Sequence, residues 1–172
     1  MTTPTQIADT TVREITEWLF HEAELLDTGK YRKWLELVAE DLHYVVPLRV
    51  TREREAETDI VEGMTLMDDD WDSMEMRVLR LETEYAWAED PPSRSRHFVT
   101  NVRVEAGDND DEFKVATNLL LYRTRGDVAI FDLLSGERRD VLRRTGDGFQ
   151  LAKRVVTLDQ TTVMTHNLAL IM

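Results

Sequence analysis

The chain has 172 residues, with 34 acidic against 21 basic side chains, a net charge of −13 and no cysteine. That length suits a single domain, residues 1–172, burying roughly 70% of the surface its unfolded form exposes. The charge opposes binding to phosphate backbones and anionic lipid heads, and the missing thiols exclude disulfide frameworks, thiolate-held clusters and cysteine nucleophiles. With no basic-then-apolar leader and no apolar run of bilayer-spanning length, the expectation is a soluble cytoplasmic chain with no nucleic-acid and no membrane partner.

The helices come first. Over residues 10–27, Val12, Ile15, Leu19, Ala23 and Leu26 recur at three and four, one stripe of a helix that Gly29 is placed to end. Tyr31, Trp34, Leu35 and Val38 continue the pattern as a second, shorter helix after a tight connection. Residues 43–48, HYVVPL, read as a short strand whose Pro47 suits a sheet edge or a strand end. Residues 51–65 are charged and without clear period, a loop with at most a short strand. Asp68, Asp69 and Asp70 stand where a third helix could begin, with Trp71, Met74, Val78 and Leu81 as its stripe; carboxylates there meet unpaired amides and the positive end of the dipole. A calcium loop is not indicated, because its glycine and distal glutamate are missing.

Residues 86–104, AWAEDPPSRSRHFVTNVRV, are the most distinctive run, reading as strand, turn and strand. Pro91 and Pro92 cannot donate ladder hydrogen bonds, and Pro91 pushes Asp90 out of the helical region, so the turn is stiff. Beyond it Arg94 and Arg96, two apart in extended chain, present forked donors on one side. Asp90, Pro91, Pro92, Ser93, Arg94 and Arg96 are therefore the candidate docking residues for carboxylates or carbonyls on another surface.

From there the chain reads as strands. Residues 113–124 alternate and become apolar on both sides toward their far end, a central strand. Turn signals at 107–111, 125–127 and 145–148 link it to strands over 128–134, 137–143 and 149–158, with Gly136 as a bulge or bend. The terminal NLALIM needs cover, from its own sheet or from a partner. Helices at the front and antiparallel strands behind give an α+β domain, one curved sheet folded around the helices.

For chemistry, Asp41, His43 and His97 are the candidates: two imidazoles and a carboxylate that could converge in the mouth of the curved sheet as base and orienter, or as an iron triad. No GxSxG, HExxH, phosphate-cradling loop or dinucleotide fingerprint is present. The residues alone assign no catalytic, cofactor-binding or metal-binding side chain.

Longer motifs add what single residues do not. The runs DDDWDSMEMRVLRLETEYAWAEDPPSRSRHFVTNVRV (68–104), NLLLYRTRGD (118–127), GERRDVLRRTGDGF (136–149), LAKRVVTLDQ (151–160) and the final NLALIM closely resemble the small (β) subunit of bacterial aromatic-ring-hydroxylating dioxygenases, the biphenyl, naphthalene and benzoate dioxygenase group. The resemblance covers residues from about 10 to 172, weakest over 51–65 and 159–166. It implies a cone-shaped fold like nuclear transport factor 2 (NTF2-like), with helices packed in a strongly bent antiparallel sheet. It also implies a non-catalytic structural subunit in an α3β3 hexamer with a catalytic large (α) subunit. In that family the large subunit carries the Rieske 2Fe-2S cluster and the mononuclear Fe(II), and dihydroxylates an arene with O2 and NAD(P)H electrons; the ferredoxin or reductase would meet this chain only through the large subunit. No cofactor would sit in this chain, in keeping with its lack of cysteine, since a Rieske centre needs two. The same fold hosts free-standing enzymes, so the alternative is a lyase or isomerase using Asp41, His43 and His97.

Overall fold

A computed structural model describes residues 7–82, 92–146, 148–165, 167–168 and 170–172. Its elements run α1 (Asp9–Asp27), α2 (Tyr31–Leu35), β1 (Val38–Arg49), β2 (Ile60–Asp69), α3 (Trp71–Glu82), β3 (Arg94–Ala106), β4 (Glu112–Thr124), β5 (Phe131–Thr145) and β6 (Gly148–Leu158). The strands form one six-stranded sheet in the order β2-β1-β6-β5-β4-β3. Every pairing is antiparallel except β1 with β6, which is parallel.

The first helix buries Ile15, Trp18, Leu19, Glu22, Leu25 and Leu26, a stripe at three and four that includes one carboxylate. It stops as its glycine suggests. Gly29 takes φ +68°, the Lys30 amide donates to Leu25 O at 2.8 Å and the Gly29 amide to Leu26 O at 3.2 Å, the paired bonds that close a helix on a left-handed residue. The connection then leads straight into α2, and Val38 begins β1 instead of ending α2.

Pro47 does not mark an edge: β1 lies between β2 and β6, and Pro47 sits where the β1–β2 register shifts, a position at which a missing N–H is tolerated. The edge on that side is β2, longer than the charged sequence suggested, with Gly63 at φ +71° and Met64 exposed. Asp68 and Asp69 close β2 and do not enter the helix; only Asp70 caps α3, accepting the Ser73 amide at 2.9 Å, and that hydrogen bonding holds its carboxyl below the usual range. Nor does Gly136 divide a strand. β5 is continuous from Phe131 to Thr145, and Gly136 pairs in register with both Leu119 and Leu158. A Cβ there would lie 2.4 Å from Thr157 O, so glycine permits close passage of neighbouring backbone.

The helices pack on one face of the sheet, α1 across β3 and β6 and α3 against β1 and β2. Inside, Trp34, Tyr44, Leu121, Leu142, Leu151 and Val156 are fully buried, and Leu170, Ile171 and Met172 complete the core. The apolar end of the sequence is thus covered by its own sheet.

Candidate functional site

Strand alternation sends the three candidate chemical residues to different places. Asp41 and His43 lie on the outer face of β1, where Arg143 Nη1 and Nη2 each donate at 2.9 Å to Asp41 and His43 Nε2 meets Asp68 Oδ1 at 3.2 Å. The hydrogen bonds from Arg143 hold the Asp41 carboxyl below its ordinary range. His97 points inward from β3, four strands from β1 in the sheet order, with Nδ1 at 2.6 Å from Asp27 Oδ1 and Nε2 at 2.9 Å from Ile171 O. The expected convergence does not occur: Asp41 and His43 face outward, held by Arg143 and Asp68, while His97 ties the end of α1 and the chain's tail to the sheet edge.

The proline run also differs from expectation. Asp90 and Pro91 lie outside the described residues; Pro92 is exposed and Ser93 Oγ accepts from Arg123 Nε at 2.9 Å. Arg94 and Arg96 are not presented by a loop but form the start of β3, exposed on its outer face, with Arg96 Nη1 3.5 Å from Asp27.

What occupies the concave interior is a set of charges. Glu22 from α1, Arg138 and Asp140 from β5, and Arg154 from β6 are each no more than 2% exposed. Arg154 spans the group, donating to Glu22 at 2.8 and 2.9 Å and to Asp140 at 2.8 and 2.8 Å, while Arg138 Nη2 reaches Glu22 at 2.9 Å. Trp34 Nε1 adds a donor to Glu22 at 3.1 Å. Burial alone would push the Glu22 carboxyl up, but the charges of Arg154 and Arg138, with hydrogen bonds from Arg154 and Trp34, outweigh it and bring it down to about 2. Burial pushes the Tyr44 hydroxyl up to about 12. Two acids and two arginines cancel in charge, the condition under which such groups persist away from water.

The tail closes this interior. Tyr44 Oη donates to Met172 O and accepts from the Met172 amide, each at 2.8 Å, and Arg154 Nη1 donates to the same oxygen at 3.1 Å. Polar groups able to hold a small molecule in an open cone are therefore engaged by the chain's own last residues. These contacts were hard to foresee because Glu22 reads as part of a polar run, HEAE; the available signal was its place in the α1 stripe and the Arg138–Asp140 spacing of two on a strand. Among the described residues no group of three or more His, Asp or Glu side chains is placed to hold a metal ion.

Among the described residues no helix covers the sheet's outer face. One half is polar, a groove of about 440 Å³ lined by Arg103, Lys114, Glu137, Arg139 and Lys153, with Arg103 and Arg139 both paired to Glu137 at 3.2 and 3.0 Å. The other half, on β3, β4 and β5, exposes Phe98, Leu120, Tyr122, Phe131 and Leu133.

A bent sheet closed around helices defines an NTF2-like chain, and an NTF2-like protein with a cystatin-like fold from Novosphingobium aromaticivorans superposes with a TM-score of 0.59 at 18% identity over 89% of this chain and 84% of that one. Sequence narrows the class. Residues 21–165 match the family described as ring hydroxylating beta subunit. The biphenyl 2,3-dioxygenase subunit beta of Rhodococcus jostii (strain RHA1) is 35% identical over 173 residues, covering 98% of this chain and 92% of the relative. A chain of naphthalene 1,2-dioxygenase, solved with indole bound in that enzyme's active site, superposes with a TM-score of 0.86 at 26% identity over 98% of this chain and 89% of its own length. The chain belongs to the ring-hydroxylating dioxygenase β-subunit family, and is the small subunit of a multi-subunit oxidoreductase with a large α partner.

Proposed function

We propose that this single-domain chain is a non-catalytic structural subunit that assembles with its large partner into a hexamer of three large and three small chains, in the cytoplasm. The observation that carries this reading is the filled interior: the concavity is occupied by the Glu22–Arg154–Asp140–Arg138 cluster and sealed by Met172. The chemistry belongs to the partner, which holds the Rieske 2Fe-2S cluster and the mononuclear Fe(II). The residues here do not fit the Rieske group, which requires two thiolates, since the chain contains no cysteine. Electrons enter from the ferredoxin or reductase through the large subunit; an acidic donor would be repelled by a chain of net charge −13 over roughly a Debye length, about 8 Å at physiological salt. Asp90, Pro91, Pro92, Ser93, Arg94 and Arg96 contribute to the contact with the large subunit, the two arginines as directional donors to carboxylates at the start of β3.

The test is purification of the complex from the native host with metal analysis of the separated chains. Iron is expected with a larger chain in equal number to this one, and no stoichiometric metal with this chain alone. One tightly held metal per small subunit, lost on His43→Gln or His97→Gln, would contradict the assignment.

A further inference from the structure

The apolar half of the outer face forms a block. Phe98 pairs with Leu120, and Leu120 with Ser135; Arg96 pairs with Tyr122, and Tyr122 with Leu133; Arg94 pairs with Thr124, and Thr124 with Phe131. These three rows are two residues apart along each strand, so their side chains share one face. Phe98 is 50% exposed, Leu120 38%, Tyr122 37%, Phe131 53% and Leu133 46%. Single exposed apolar side chains are common on any protein, but five large ones in adjoining rows mark an interaction surface. Within the block the Tyr122 and Phe131 rings already pack against each other at a tilt of 38°, with centroids 5.2 Å apart.

We infer that this block is the seat of the large subunit on the small one. The inference rests on the reading of the chain as a structural subunit and adds the surface through which it acts. The occupant follows from charge as well as family. Arg94 and Arg96 stand on β3 at the sheet edge beside Phe98 and Tyr122, Arg96 also reaching Asp27 at 3.5 Å, giving an apolar centre with a basic flank on a chain that is otherwise strongly acidic. That combination selects a partner whose apolar patch is bordered by carboxylates. A second copy of this chain fits less well, because docking would bring together two molecules of net charge −13. Stable interfaces bury on the order of 800 Å² per partner around an apolar core, and this block provides such a core where the ion-paired half of the face does not.

The experiment co-expresses the large subunit with Leu133→Glu or Tyr122→Asp, and with Arg139→Glu or Lys153→Glu from the polar half. Large subunit recovered per small subunit is measured by size-exclusion chromatography with light scattering, beside the melting temperature of each isolated small subunit. The two block variants are expected to lose at least about tenfold in association at an unchanged melting temperature, a carboxylate being stranded in a desolvated patch, while the two polar-half variants assemble as the parent does. Two block substitutions keep the question answerable should one of them unfold the chain. Wild-type levels of complex with both block variants would overturn the inference. So would loss of self-association in the isolated chain with hetero-assembly intact, which would assign the block to a copy-on-copy contact. A parent chain that recruits no larger subunit would overturn the functional reading along with it, a result separable from failure of the surface alone.

Discussion

Arg138 and Arg139 are consecutive in β5 and chemically identical, yet the first is 1% exposed and tied to Glu22, while the second is 73% exposed and tied to Glu137. Strand alternation alone separates them. The difference extends across the sheet. On the inner face Glu22, Asp140 and Arg154 are engaged with one another and with the tail, holding the fold together. On the outer face charges pair in water and an apolar block is left uncovered. A fold that can enclose a ligand has here closed its interior and exposed its exterior, which is what a subunit built for assembly requires.

The largest effect that could break this contrast comes from a matched pair of substitutions. Arg154→Met leaves Glu22 and Asp140 buried with Arg138 as their one cation and is expected to cost about 3–5 kcal/mol in denaturant unfolding, whereas Arg139→Met, which removes a surface ion pair, should cost no more than about 1 kcal/mol. Equal losses would mean that the inner network is not structural.

Acid provides a second probe. The Glu22 carboxyl falls from 4.5 to about 2 on folding, so the unfolded chain binds the proton first as pH drops. Its contribution is fully present above about pH 4.5 and is lost as pH falls toward about 2, a few kcal/mol in all. Unfolding free energy followed over that window should fall more steeply in the parent than in a Glu22→Gln variant; parallel curves would remove Glu22 from the account.

A smaller loss, about 1–3 kcal/mol, is expected for Gly136→Ala, because the added methyl would meet Thr157 O at 2.4 Å and backbone must shift to admit it. Thermal melting measures it, and a neutral result would show that β5 and β6 can separate locally.

The smallest effects are expected in catalysis. Asp41→Asn, His43→Gln and His97→Gln, each reconstituted with the large subunit, should keep turnover within about tenfold of the parent, at most about 1.4 kcal/mol in the barrier. Turnover has to be normalised to assembled, iron-loaded complex, since His97→Gln also removes the tie between Asp27 and Ile171. A hundredfold loss in such complex would return the chemistry to this chain.

The sequence made the order of helices and strands legible, because α1, α3, β4 and β6 each repeat apolar residues at the period of their own structure. It hid β2, whose position at the edge of the sheet leaves most of its residues partly wet and erases alternation. Pro47 was misleading because a bulge inside a sheet and a free edge both dispense with the same N–H. The buried charges were least legible. Glu22, Arg138, Asp140 and Arg154 look like surface residues one at a time, and only the sheet register and the crossing of α1 bring them together. Asp41 and His43 illustrate the opposite error: suitable residue types two apart beside a strand, turned to the outside by its pleat.

The most direct test compares the two faces within one experiment. Hydroxyl-radical footprinting with mass spectrometry reads side chains individually, so isolated small subunit and assembled complex can be compared at outer Phe98, Tyr122, Phe131 and Leu133 and at inner Trp34, Tyr44 and Met172. The outer four are expected to be oxidised readily in the isolated chain and several-fold less in the complex, while the inner three are unreactive in both. Outer residues that stay equally reactive after assembly, or inner residues that react in the isolated chain and become protected by a substrate, would contradict it.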